Sequence, residues 1–99
     1  VYNVTTKVDW SIHDEWVKWM LDIHIPEVVA TGCFSNGQLF KLLEIDEEEG
    51  PTYTAQYFAD TKEQQEQYVQ TFAPSMRQKV FDQWGNRVFA FRSIMQAVQ

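Results

Sequence analysis

The chain has 99 residues, 44% hydrophobic and 22% charged, enough for one packed core and too apolar for a wholly disordered protein. Fourteen acids against eight bases give a net charge of −6, which argues against phosphate-backbone binding as the main task. One cysteine, Cys33, excludes an internal disulfide and a multi-thiolate metal site. No apolar run approaches the ~20 residues that span a bilayer. The expectation is therefore a single cytoplasmic domain over residues 1–99, with no nucleic-acid partner, no membrane partner, no metal and no cofactor. The chain opens on Val1 rather than Met, so a short stretch is expected to precede it.

Residues 1–9 alternate: Tyr2, Val4 and Val8 point one way, Asn3, Thr5, Lys7 and Asp9 the other, as a half-buried strand requires. Ser11 then opens a helix, with Asp14 in capping-box position. Ile12, Trp16, Trp19, Met20 and Ile23 form its apolar stripe, and Pro26 predicts a stop or kink at Ile25. A strand follows between Phe34 and Asp46, apolar on both faces and so expected to be covered on both, with Gly37 marking a bulge. The acidic run Asp46–Glu49 with Gly50–Pro51 reads as a solvated turn.

Residues 52–59 alternate again, Tyr53, Ala55, Tyr57 and Ala59 opposing Thr52, Thr54, Gln56 and Phe58. A second helix begins at Asp60 or Thr61, where Glu63 or Gln64 completes a capping box. Tyr68, Phe72, Met76 and Val80 run down its inner side, widened by Val69, Ala73 and Trp84, with a kink at Pro74 and a stop at Gly85. Residues 87–98 form the last strand. Charge divides along the chain: residues 1–75 carry 13 acids and 4 bases, whereas residues 76–99 carry Arg77, Lys79, Arg87 and Arg92 against Asp82 alone.

The order β-α-β-β-α-β predicts an α+β, ferredoxin-like βαββαβ domain: a four-stranded antiparallel sheet, strand order 4-1-3-2, with two helices on one face. The opposite face then holds Asn3, Thr5, Lys7, Thr54 and Gln56 at its middle. Desolvation decides how the last strand is expected to turn, since burying Arg92 under helices without a partner would cost several kcal/mol. On that argument Phe89, Phe91 and Met95 are core and Arg92 joins the open face beside Val88 and Ile94. The expected ligand-binding set is Thr5, Lys7, Thr54, Gln56 and Arg92. A sheet of this size offers on the order of 500 Å², comparable to the largest patches monomers expose, so a homodimer with sheets face to face is expected.

Other constellations are poorer. His13 and His24 lie about 16 Å apart along one helix and cannot share a metal ion. The third strand lacks the basic and aromatic set of an RNA-recognition motif, no Cys-x-x-Cys pair is present, and Asp9-Trp10-Ser11 is no glycine-rich phosphate loop.

Several stretches resemble a small bacterial family catalogued only as a domain of unknown function. They are Tyr2-Asn3-Val4, Trp16-Val17-Lys18-Trp19-Met20, His24-Ile25-Pro26-Glu27-Val28 running to Thr31-Gly32-Cys33-Phe34, Tyr53 with Gln56-Tyr57, Ala73-Pro74, and Gly85 followed by Phe89-Ala90-Phe91-Arg92. The resemblance implies a ferredoxin-like fold similar to dimeric α/β-barrel proteins, whose sheets face each other, and brings no activity with it. Because some dimeric α/β-barrel proteins are enzymes, two readings stand. One is a homodimeric small-ligand-binding or interaction domain with a polar cavity on the open sheet face, its ligand polar or anionic. The alternative is a small enzyme in which His24 is the acid–base and Arg92 stabilises an anion; that reading requires His24 to reach the same cavity as Arg92.

Overall fold

The computed structural model describes residues 1–98. Strand β1 (Tyr2–Val8) leads through a 3-10 turn (Trp10–Ile12) into α1 (His13–Trp19), a π turn (Met20–His24) and α2 (Ile25–Ala30), a nearly continuous first helix. Strands β2 (Asn36–Lys41) and β3 (Thr52–Phe58) follow. The second helix repeats the plan with α3 (Lys62–Gln67), a π turn (Tyr68–Phe72) and α4 (Ala73–Trp84), then a 3-10 turn (Gly85–Arg87) and β4 (Val88–Ile94). The strands pair antiparallel in the order β2-β3-β1-β4, the ferredoxin-like arrangement expected. Among the described residues no helix is long and apolar enough to cross a membrane.

Local chemistry explains the boundaries. The Asp9 carboxylate accepts from the Ser11 N–H at 2.8 Å, so the first helix is capped by Asp9 and not by Ser11 as expected. The capping box at Thr61 is present: its hydroxyl accepts from the Gln64 N–H, and the Gln64 side chain accepts from the Thr61 N–H, both at 3.2 Å. Gly85 ends the second helix at φ 60°, a left-handed value that costs glycine little.

Neither proline stops its helix. Proline cannot donate to the carbonyl four residues back, and each helix absorbs the loss by widening one turn just upstream. The Ile25 N–H donates to the Met20 carbonyl before Pro26, and the Ala73 N–H to the Tyr68 carbonyl before Pro74. The extra residue shifts the phase of the helix. Ile23, expected in the core, is therefore 49% exposed, whereas His24 turns inward.

The core joins Tyr2, Val8, Ile12, Trp16, Met20, Ile25 and Val28 with Phe34, Ala55, Tyr57, Tyr68, Ala73 and Trp84. Gly37 is not a bulge: it pairs with Tyr57, and a side-chain carbon there would meet the Tyr57 ring at 2.8 Å. Strand β2 is shorter than expected and is not covered on both faces; Phe40 is exposed, as are Leu43 and Ile45 beyond its end. The acidic turn folds back onto β1, its Glu47 carbonyl accepting from the Trp10 indole at 2.8 Å and Glu49 pairing with Lys7 at 3.2 Å.

The last strand is turned over relative to the expectation. Val4 is opposite Arg92, Thr6 opposite Ala90 and Val8 opposite Val88, which sets Val88, Ala90, Arg92 and Ile94 on the helix side. Phe89, Phe91 and Ser93 share the open face with Lys7, Thr5 and Asn3. The desolvation argument failed on its premise: β4 is an edge strand that the helical layer leaves uncovered, so Arg92 sits on the helix side and still meets solvent.

Candidate functional site

Between sheet and helices lies a cavity of about 240 Å³. Tyr2, Val4, Thr6, Ala55 and Tyr57 pave it from β1 and β3; Trp16, Met20, His24 and Val28 close it from the first helix, and Tyr68, Ala73, Met76 and Val80 from the second. Arg77, Phe81, Ala90 and Arg92 also line it and are exposed, which locates the mouth along the uncovered side of β4.

His24 marks the buried end. It is 7% exposed and stacks on Trp19 with ring centroids 4.8 Å apart and planes 14° from parallel. Its Nδ1 is buried without a hydrogen-bond partner. Burial pushes the imidazole down from 6.5 to about 4; Glu27 opposes the shift and Lys79 adds to it. The ring is thus neutral near pH 7, with one nitrogen a donor and the other an acceptor. Glu27 and Lys79 pair with each other across the two helices. The other buried polar atom lacking a partner among the described residues, the Trp84 indole nitrogen, belongs to a separate groove with Trp19 and Gln83.

Cationic groups gather at the mouth. Burial and the neighbouring Tyr2 push the Tyr68 phenol well above its ordinary range, while Arg77 and Arg92 both draw it back. Arg77 and Arg92 thus both line the mouth of the cavity whose wall includes buried Tyr68. Among the described residues, neither arginine pairs with a carboxylate.

The expected ligand set therefore divides between two faces. Thr5, Lys7, Thr54 and Gln56 occupy the open face, and Arg92 lies in the interlayer cavity with the candidate catalytic His24. On the open face the Thr54 hydroxyl donates to Asn3 Oδ1 at 2.6 Å, and Asn3 Nδ2 donates to Thr5 at 3.2 Å and to Ser93 at 3.4 Å. Asn3, Thr5, Thr54 and Ser93 thus bond to one another. Lys7 is drawn aside by Glu49. The margins are apolar: Phe89 is 73% exposed and Phe91 59%, with Phe40 and Met95 also open.

The sequence names Arg77 only as one of the C-terminal bases, Tyr68 only as core and His13 only as a rejected metal ligand, and places none of them in the candidate site. Arg77 falls four residues after Ala73, on the flank of the apolar stripe, and that spacing was its available signal. His13 shares a hydrogen bond of 2.7 Å with the Tyr53 hydroxyl, and its other nitrogen lies 3.2 Å from Asp14. With both nitrogens engaged, His13 pins the start of the first helix to β3.

No curated protein matches the chain. Among solved structures, the chain is similar to the crystal structure of At3g17210 from Arabidopsis thaliana, with a TM-score of 0.65 and 15% identity over 100% of this chain and 98% of that one. At that identity the likeness concerns fold alone. Residues 1–98 match a family described as Domain of unknown function (DUF4286), and the chain belongs to it.

Proposed function

We propose that this domain binds a small molecule in the interlayer cavity and self-associates through the open face of its sheet. The carrying observation is His24, buried in the cavity wall with Nδ1 unpartnered. Its neutral imidazole, in the cavity wall, has one donor and one acceptor to offer a hydrogen-bonding group. The cavity takes the binding role expected of the open face, whose polar centre is internally bonded. The enzyme reading gains from one feature: His24 and Arg92 line the same cavity, which is the geometry that acid–base chemistry beside an anion requires.

Methyl NMR spectra during titration with a library of small acids, amides and phenols test the binding site. Binders should move the methyl signals of Val4, Val28, Val80 and Val88. Binders that move only those of Thr5 and Thr54 would return the site to the open face and sink the cavity reading.

A further inference from the structure

We propose that the cavity is a site for a small apolar carboxylate, its acid group held between Arg77 and Arg92 and its body directed inward toward His24. This rests on the cavity reading and adds the chemical class of the ligand.

Charge argues first. The protein carries a net charge of −6, and Lys7, Lys41, Lys62 and Lys79 each pair with a carboxylate. Arg77, Arg92, Lys18 and Arg87, among the described residues, do not, and of these four Arg77 and Arg92 line one cavity, both at its mouth. A guanidinium presents a planar fork of donors that matches a carboxylate edge to edge, and two of them with a phenol offer more donors than one acid group can use.

Size and polarity narrow the remainder. A cavity of roughly 150 Å³ admits benzene, so 240 Å³ takes a ring with a short arm, somewhat below drug size. Inside the mouth the wall is mainly Val4, Ala55, Val28, Met76 and aromatic rings, so a heavily hydroxylated molecule would lose its hydration for few partners. A hydrogen-bonding substituent at the inner end would meet the His24 imidazole.

Calorimetric titration of the full chain with phenylpropionate and with its neutral amide tests this, repeated on Arg77→Gln and Arg92→Gln. Both arginines are exposed, so the variants should fold, which thermal melts check. The acid should bind at least about tenfold more tightly than the amide, and each substitution should remove most of that preference while leaving amide binding within about twofold. Equal affinities, an acid preference that survives both substitutions, or no binding of either compound at millimolar concentration overturns the carboxylate assignment. Methyl spectra in which the acid moves Thr5 and Thr54 but not Val4 or Val88 overturn the cavity reading itself.

Discussion

His24 is held neutral by its surroundings, and that makes it a gauge of the cavity. Its proton affinity falls on folding from 6.5 to about 4, so between those values the unfolded chain binds a proton that the folded chain refuses. Stability from this group is fully present above pH 6.5 and is lost as pH falls toward 4, by about 3 kcal/mol in all. Urea denaturation of the wild type and of His24→Gln, from neutral pH to pH 4, should show the extra acid loss in the wild type alone. Parallel curves would mean that His24 is solvated. Gly37 supplies a second test at this scale: Gly37→Ala drives a methyl to 2.8 Å from the Tyr57 ring and should cost about 1–3 kcal/mol in the same assay. A neutral result would mean that the ring moves aside freely.

Among the elements, what could be read from the sequence was what repeats with a period. The alternation of Tyr2, Val4 and Val8 and of Tyr53, Ala55 and Tyr57 locates both central strands and their buried faces, and Thr61 with Gln64 marks the second helix by its cap. The inner stripe of the second helix is largely as its spacing predicts. Periodicity fails where one residue is inserted: the π turn ahead of Pro26 exchanges Ile23 for His24, and a stripe drawn at 3.6 residues per turn misses the residue that carries the site. It fails again at β4, apolar on both sides, where orientation depends on how far the helices reach. Arg92 therefore lies on the face opposite Thr5, Lys7, Thr54 and Gln56, and the candidate set spans two surfaces. The observed orientation makes a prediction contrary to side-chain size. Val88→Ala, half-buried against the core, should lower stability by about 1–2 kcal/mol, whereas Phe89→Ala should leave monomer stability nearly unchanged. Equal losses in a melt would put Phe89 under the helices.

For the whole molecule, the turned strand makes the open face a stronger candidate for self-association, since it exchanges an arginine for two phenylalanines. Phe40, Thr54, Thr5 and Phe91 lie in one row across the sheet, aromatic at both ends and polar between. A two-fold partner can therefore lay margin on margin while the hydrogen-bonded centres meet or enclose water. The flat face offers on the order of 500 Å², short of the ~800 Å² per partner of a standard interface, so exposed Leu43 and Ile45 beyond the end of β2 are the apolar residues available to extend it. Each copy also brings six net negative charges, and their mutual repulsion is screened by salt. Light scattering over a range of concentration should show a dimer that tightens as salt rises. Phe91→Glu should dissociate it while leaving the circular dichroism of the monomer unchanged. A wild type that stays monomeric at high concentration, or a dimer indifferent to Phe91→Glu, would remove the sheet face as the interface. The cavity proposal would survive either result, because its lining residues all come from one copy of the chain.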